Sequence, residues 1–160
     1  MKDKKIIVLM GGPSKEAEVS RRTGAAIAEA LESKGYNAQT LELNPRTVLK
    51  DIKDLGGEVV FNAIHGRYGE DGALQGLLEM AEIPYTGSGI MAHAVGMNKK
   101  VSKDVFKGAN IPTAASESFT GNLESAEAII EHIRKDFTIP VVVKSATQGS
   151  SIGVTIVRDE

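Results

Sequence analysis

The fold of this 160-residue chain is decided by the stretch VVFNAIHGRYGEDGALQG, which occupies residues 59–76. An apolar run typical of strands buried in parallel sheets leads into a loop with three glycines, one histidine, one arginine and two carboxylates. After the loop, apolar residues recur at helical spacing at Leu74, Leu77, Leu78 and Ala81. Ligands of open α/β sheets bind at the carboxyl ends of the strands, so this loop is the first candidate for a binding site.

Upstream of this stretch, short strands alternate with helices. Three strands are predicted, at residues 6–10, 38–43 and 58–64. The first ends at Gly11-Gly12-Pro13, and the helix after it is predicted to have Ser14 as its N-cap, Val19 on its apolar face and Gly35 as its end. A short helix is predicted at 47–53. The alternation predicts an α/β fold with a parallel, Rossmann-like sheet and right-handed crossovers.

The second part of the chain has a different pattern. A basic helix is predicted at 99–107 and an amphipathic helix around 126–133. Two strands, 141–144 and 154–157, are predicted to form a hairpin that starts a second, α+β sheet. Since a two-stranded ribbon alone is marginally stable in water, the second domain is expected to be incomplete. We therefore predict an N-terminal substrate-binding domain at 1–96, and a linker helix with the start of a further domain at 97–160.

Composition excludes several classes of function. Lysine and arginine total 19 against 21 aspartates and glutamates, and the basic residues are scattered, so no nucleic-acid partner is expected. The chain has no cysteine, which excludes disulfides and fits a reducing compartment. The N-terminal apolar run has only five residues, too few for a signal peptide or a membrane span. We expect a cytoplasmic protein with no membrane partner.

Several loops carry candidate sites, each with a purely structural alternative. Residues 11–16 offer backbone amides to an anion, or simply form a tight turn. His65 could bind a substrate carboxylate as an imidazolium, or bond a loop carbonyl. Glu70 and Asp71 could ligate a metal, but their expected place in the first turn of the next helix favours a dipole role. No metal site is therefore predicted here.

Two further stretches concern nucleotides. Residues 87–92 match G-x-G-x-x-A, but the segment before them is too weak a strand for the dinucleotide fingerprint. Lys144, beside the glycine and serine residues of 149–153, is a stronger phosphate signal, because a lysine charge and backbone amides can hold phosphate oxygens. The alternative is a flexible hairpin turn with an exposed lysine. Any nucleotide binds outside the P-loop architecture, since G-x-x-x-x-G-K-[ST] does not occur.

Together these residues resemble the D-alanine–D-alanine ligase family of the ATP-grasp enzymes. The matching segments follow the family's order at residues 11–20, 65–76, 84–89, 97–99, 143–144 and 149–153. The resemblance implies that ATP, with Mg²⁺, phosphorylates the carboxylate of a first D-alanine. The amine of a second D-alanine then attacks the acyl phosphate, which gives a dipeptide used in peptidoglycan. It also implies an ATP-grasp domain after the Rossmann-like domain, and a possible homodimer.

The resemblance further implies roles for particular residues. Glu16 is expected to hold the ammonium of the first D-alanine and to orient Ser150 through hydrogen bonds. Val19 is expected to line that subsite, and His65 to lie near the carboxyl group or its phosphate. We therefore expect Glu16, His65 and Ser150 to converge on one pocket.

The nucleotide-binding residues implied by the resemblance lie in the second part of the chain. Lys99 and Lys144 are expected to contact the phosphates of ATP. The backbone amides from Gly149 to Ser151 are expected to close over the terminal phosphate.

Two positions depart from the family pattern. Asn98 replaces the usual aspartate, and Ser145 replaces the proline that commonly follows the lysine. The family's adenine-binding segment, lid loop, oxyanion-stabilising arginine and magnesium ligands are expected beyond residue 160, so these 160 residues alone are not expected to catalyse ligation. The specificity for D-alanine, D-lactate or D-serine as second substrate stays open. Two alternatives remain, a non-catalytic small-molecule-binding domain and a nicotinamide-dependent enzyme.

Overall fold

The computed structural model describes residues 2–120 and 125–159. The chain divides into two compact units, Met1–Met97 (unit 1) and Asn98–Glu160 (unit 2). Unit 1 contains β1 (Lys5–Met10), α1 (Ala17–Ser33), β2 (Asn37–Glu42), α2 (Val48–Asp54), β3 (Val59–Asn62), α3 (Ala73–Met80) and α4 (Ile90–Met97). Unit 2 contains α5 (Lys99–Gly108), α6 (Ala126–Asp136), β4 (Val141–Lys144) and β5 (Val154–Val157). Among the described residues, no helix combines the length and apolarity needed to cross a membrane.

The sheet of unit 1 is parallel, as predicted, with the strand order β2-β1-β3. Side chains alternate across β1, so Ile7 and Leu9 join the apolar cluster that includes residues of α2 and α3. Ile6 and Val8 join the cluster that includes Ala28 of α1. The sheet is therefore buried on both faces, which explains the uninterrupted apolar run in β1.

Helix α1 begins later than the sequence predicted. Its N-cap is Glu16, so the prediction of Ser14 as the N-cap is wrong. The buried face of α1 consists of Ser20, Gly24 and Ala28, whereas Val19 is 46% exposed. A Cβ added to Gly24 would lie 2.6 Å from the Cβ of Met10, so small side chains allow α1 to approach β1 closely. The prediction of Val19 on the apolar face is therefore wrong, although Ile27 and Leu31 of α1 do pack against the sheet.

Helix α3 also begins later than expected. It starts at Ala73, after Gly72 with its positive φ of 91°. The prediction that Glu70 and Asp71 occupy its first turn is therefore wrong. Its buried residues are Leu74, Gln75 and Leu78, of which the glutamine was not predicted. The sequence pattern also gave no indication of helix α4.

Unit 2 has the two strands at the predicted bounds. They pair antiparallel with Val141 opposite Val157 and Lys144 opposite Val154. None of the described residues of unit 2, 98–120 and 125–159, is buried. Large apolar side chains are exposed on neighbouring positions of the ribbon, including Val142, Val143 and Ile156.

Candidate functional site

Two loops meet at the carboxyl edge of the parallel sheet in unit 1. The first follows β1 and carries Glu16, and the second follows β3 and carries His65. The hydroxyl of Ser14 accepts a hydrogen bond from the Glu16 backbone N–H (3.2 Å) and donates one to the His65 carbonyl (2.8 Å). A Cβ added to Gly66 would lie 2.7 Å from Glu16 Oε2, so the carboxylate of Glu16 rests against the second loop. The structure thus brings Glu16 and His65 together, as predicted.

Both ring nitrogens of His65 have polar neighbours. Nε2 lies 3.2 Å from the hydroxyl of Thr23, and Nδ1 lies 3.6 Å from Oε1 of Glu70. The side chain of His65 is 34% exposed, so one part of the ring faces solvent. An imidazole ring N–H can donate a hydrogen bond, so the exposed part of that ring can meet an anionic group of a ligand.

The carboxylates of Glu70 and Asp71 hold the second loop in shape. Oε2 of Glu70 accepts from the backbone N–H of Gly66 at 2.9 Å. Asp71 accepts from the backbone N–H groups of Tyr68 (2.9 Å) and Ala73 (3.0 Å). Within residues 2–120 and 125–159, no group of three or more His, Cys, Asp or Glu side chains could hold a metal ion. These two carboxylates are structural elements of the loop rather than dipole partners inside α3.

The glycine loop after β1 already contains an anion, supplied by the chain itself. The Gly12 N–H donates to Oε1 of Glu42 at 3.2 Å, and a Cβ on Gly11 would lie 2.0 Å from the same oxygen. The Arg21 guanidinium donates to both carboxylate oxygens of Glu42, and these hydrogen bonds hold the pKa of Glu42 below its usual value. The Gly11 N–H donates instead to the buried hydroxyl of Ser20 at 2.8 Å. Of the two interpretations of this loop, an internal turn therefore fits better than a site for a free anion.

The contact of Glu42 with the glycine loop was not predicted, because Glu42 is far from these glycines in the sequence. Glu42 ends β2 directly opposite Met10 in the parallel register, which places it beside Gly11. A prediction of strand register would have been the only signal for this contact.

Unit 2 brings Lys99 to the glycine and serine loop between β4 and β5. Its Nζ donates to the Gln148 carbonyl at 2.6 Å, and its backbone N–H donates to the Ala146 carbonyl at 2.9 Å. Lys144 is the last residue of β4, immediately before this loop. Three of the predicted nucleotide-binding elements, Lys99, Lys144 and the loop, are thus neighbours in this unit.

The loop itself is a compact turn. Ile152 N–H donates to the Gly149 carbonyl and Val154 N–H donates to the Ser151 carbonyl, each at 3.3 Å. Ser150 has a positive φ of 52°, a conformation that is uncommon for a residue with a side chain. Such non-glycine residues cluster at functional sites.

Both departures from the family pattern have a structural role. The side chain of Asn98 caps α5 by accepting from the backbone N–H groups of Lys100 (3.1 Å) and Val101 (3.2 Å). Asparagine and aspartate are about equally good in this position. The Ser145 N–H donates to the Gly153 carbonyl at 3.1 Å, a hydrogen bond that proline lacks the donor to make. The strand-to-loop geometry after Lys144 is therefore stabilised by a bond that a proline at position 145 could not donate.

The dinucleotide match at 87–92 lacks its strand. The segment directly before Gly87, residues 83–86, forms only an isolated parallel bridge between Tyr85 and Val60. A buried strand is needed to carry the glycines of a true fingerprint to the pyrophosphate. The geometry gives the nicotinamide interpretation no support.

Family models and known proteins resemble the chain over most of its length. The model described as the D-ala D-ala ligase N-terminus matches residues 39–88, and the model described as the D-ala D-ala ligase C-terminus matches residues 105–160. The D-alanine–D-alanine ligase of Moorella thermoacetica is 47% identical over 162 residues, which is 98% of this chain and 51% of that protein.

Solved structures show the same likeness. A crystal structure of D-alanine–D-alanine ligase from Bacillus anthracis has a TM-score of 0.82 at 36% identity, covering 98% of this chain and 50% of that one. A crystal structure of the ligase from the same organism complexed with ATP has a TM-score of 0.81 at 32% identity, covering 98% and 49%. The chain spans about half the length of the relatives that it matches.

The predicted site residues fall into two sets, one in each unit. Glu16, Val19 and His65 belong to unit 1, and Lys99, Lys144 and the loop with Gly149, Ser150 and Ser151 belong to unit 2. The convergence of Ser150 with Glu16 and His65 stays a prediction.

Proposed function

Because the chain belongs to the D-alanine–D-alanine ligase family, we propose that its protein joins two D-alanine molecules at the expense of ATP. The reaction proceeds through an acyl phosphate of the first D-alanine, and its product serves peptidoglycan synthesis. Residues 1–96 form the substrate-binding domain, and residues 97–160 form the linker helix and the start of the ATP-grasp domain. Since the reaction consumes ATP, we assign it to the cytoplasm.

The observation that supports this proposal most is that a carboxylate and an imidazole ring lie close together at the sheet edge. The carboxylate of Glu16 lies against Gly66, and the adjacent His65 presents a partly exposed imidazole supported by Glu70. A free amino acid is a zwitterion, so it needs an anionic group for its ammonium and a donor for its carboxylate. Glu16 and His65 supply both from one edge of one sheet.

In this proposal each residue of unit 1 has a defined task. Glu16 accepts hydrogen bonds from the ammonium of the first D-alanine, and the exposed Val19 contacts its methyl group. His65 donates to the carboxylate that becomes phosphorylated. Ser150 joins Glu16 in a hydrogen-bond network that fixes the orientation of the substrate.

The residues of unit 2 are proposed to hold the nucleotide. Lys99 exchanges its contact with the Gln148 carbonyl for a phosphate oxygen, and Lys144 binds a second phosphate oxygen. The backbone amides of Gly149 to Ser151 donate to the terminal phosphate. Positive charge and oriented amides of this kind stabilise a transferring phosphoryl group, and exclusion of water protects the acyl phosphate.

Mg²⁺ is part of the proposal as the counterion of ATP. Since the described residues offer no cluster of three suitable ligands, we assign its protein ligands to neither unit. A homodimer follows from the resemblance alone and is proposed on that basis.

A second candidate is a small-molecule-binding domain without catalysis. It is favoured by the fact that Glu16 and His65 lie within a single compact unit that needs no residue of unit 2 to bring them together. The two functions differ in whether ATP binds.

Calorimetry on the 160-residue chain tests the proposal with D-alanine, L-alanine, ATP and NADH as separate ligands. We expect D-alanine to bind, ATP to bind weakly through its phosphates because the adenine-binding segment is expected beyond residue 160, and L-alanine and NADH to show no binding. In Glu16→Gln we expect the affinity for D-alanine to fall about tenfold or more, equal to about 1.4 kcal/mol. Glu29→Gln is the matched control, because Glu29 is an exposed residue of the same helix.

The outcomes separate the candidates. Binding of D-alanine without ATP favours the binding domain, and binding of NADH without ATP contradicts the family assignment of the site. Unchanged D-alanine affinity in the Glu16 variant removes Glu16 from the proposed subsite.

A further inference from the structure

Gln75 is a polar side chain in the apolar core of unit 1. It is fully buried in α3, between the buried residues Leu74 and Leu78. Its Nε2 donates to the Gly69 carbonyl at 2.7 Å, while its Oε1 is buried and has no hydrogen-bond partner among the described residues. A buried acceptor without a partner costs stability. Such a group in a native core needs an explanation. Among the described residues, the bond to Gly69 is the only one that the side chain makes.

The same carbonyl receives a second side-chain donor. Nδ2 of Asn62, at the end of β3, donates to the Gly69 oxygen at 2.8 Å. Asn62 is itself fixed, because its Oδ1 accepts from the Ile64 N–H (3.1 Å) and its own N–H donates to the Thr86 hydroxyl (3.0 Å). A carbonyl oxygen has two lone pairs, so strand β3 and helix α3 together occupy both.

Gly69 packs closely against Ile64, just beyond the end of β3. A Cβ at this position would lie 2.4 Å from the Cβ of Ile64 and 2.6 Å from its carbonyl oxygen. The next residue is Glu70, whose carboxylate accepts from the Gly66 N–H and reaches His65 Nδ1. A displacement of the Gly69 carbonyl therefore displaces the group that supports the imidazole.

We propose that Asn62 and Gln75 are positioning residues that clamp the Gly69 carbonyl and thereby set the geometry of the His65–Glu70 pair. The clamp deepens the proposed function and rests on it, in that the pair serves the carboxylate of a bound amino acid. Gln75 acts through Gly69 and Glu70 and has no contact of its own with the ligand. This role explains why a polar amide occupies position 75 in the core. An apolar side chain would fill the same space but could not donate to the Gly69 carbonyl.

The variant Gln75→Met separates positioning from stability. Methionine fills a similar volume, removes one of the two donors, and also removes the unpartnered acceptor. The Gly69 oxygen keeps its bond from Asn62, so no buried group loses its last partner. If Gln75 is purely structural, Gln75→Met lowers the unfolding midpoint and leaves the site unchanged. If Gln75 is a positioning residue, the same variant changes the site with little effect on the midpoint.

The readout is the pair of ring ¹⁵N signals of His65, recorded by NMR on the full 160-residue chain. In Gln75→Met we expect these signals to shift, and the affinity for D-alanine to fall about tenfold, with the urea midpoint nearly unchanged. Asn62→Asp removes the other donor and keeps an acceptor for the Ile64 N–H, so it is expected to shift the same signals. The control Gln39→Met makes the same chemical change on β2 and is expected to leave both readouts as in the wild type.

Each result decides a separate question. Unshifted His65 signals in both folded variants overturn the clamp, as does a loss of stability without a change at His65. If Gln75→Met does not fold, the structural role is primary, and unshifted signals in Asn62→Asp then complete the refutation. Absence of D-alanine binding by the wild type contradicts the proposed function and leaves the NMR comparison to decide on the clamp.

Discussion

Replacing Gly66 with alanine tests the link between the two loops of unit 1. Gly66 has a φ of 73°, and a Cβ there would lie 2.7 Å from Glu16 Oε2. The left-handed conformation costs a residue with a side chain about 1–2 kcal/mol. The close atom is the end of a flexible side chain, so we expect the carboxylate of Glu16 to move aside rather than the backbone. Stability should therefore fall by the conformational cost alone, while the ammonium subsite is lost.

Gly56→Ala is the matched control for this variant. Gly56 has a φ of 68° and nothing within 4 Å of an added Cβ, so it carries the same backbone strain without a contact. In urea unfolding we expect both variants to lose about 1–2 kcal/mol. In calorimetry with D-alanine, Gly66→Ala should lose about tenfold in affinity, or about 1.4 kcal/mol, and Gly56→Ala should lose nothing. Equal affinities in the two variants would refute the role given to the Glu16–Gly66 contact, and a much larger loss of stability in Gly66→Ala would show that Glu16 is held rigidly.

Three further predictions concern the frame of the site. Hydrogen bonds from Arg21 lower the pKa of Glu42 in the folded protein. The ionised carboxylate therefore stabilises the fold above its unfolded pKa of about 4.3. This stabilisation is lost as the pH falls through the lower pKa of the folded state. The difference in urea midpoint between the wild type and Glu42→Gln should therefore be present at pH 7 and shrink at pH 3; a constant difference would contradict this pairing. Asn98→Ala should destabilise the start of α5 by about 0.5–2 kcal/mol. This loss should appear as faster hydrogen exchange at the backbone N–H groups of Lys100 and Val101, which donate to the Asn98 side chain. Asn98→Asp should keep their protection, and equal exchange in both variants would count against the cap. Leu78→Ala, at a fully buried core position, should lower the unfolding free energy by about 2–5 kcal/mol in urea unfolding, and a loss well below that range would mean that the core closes around the gap.

The strands were predictable because burial on both faces leaves a simple trace in the sequence. Ile6, Ile7, Val8 and Leu9 are each at most 4% exposed, and a run of this kind has few alternatives. The parallel order followed from the alternation of strands and helices. The hairpin of unit 2 was predicted at its bounds because its valines are separated by glycine and serine residues.

Several missed features depend on contacts that no local sequence pattern indicates. Ser20 is buried because its hydroxyl accepts from the Gly11 N–H and donates to the Ala63 carbonyl, which no local pattern indicates. Glu42 reaches the glycine loop through strand register, and Gln75 serves a carbonyl on a preceding loop. A polar residue inside an apolar helical pattern is easily assigned to the surface, because its hydrogen-bond partner is known only from the tertiary structure.

Within the candidate site, sequence reasoning found the chemical groups but not the frame around them. Glu16, His65 and Lys99 lie beside the loops predicted for them. The supporting contacts of Glu16 and His65 come from Ser14 and Glu70, whose assignments as an N-cap and as a helix-dipole partner were wrong. Residue type and position in a loop indicate chemistry, whereas hydrogen-bond partners depend on side-chain geometry.

The distribution of buried side chains determines what a melting curve of this chain records. All the fully buried apolar side chains among the described residues lie between Ile6 and Leu78, and the segments 98–120 and 125–159 contribute none. The heat capacity change of unfolding arises mainly from apolar surface that becomes hydrated. A sharp calorimetric transition will therefore report the melting of the parallel sheet, and the ribbon and α6 can unravel at a lower temperature with little heat of their own.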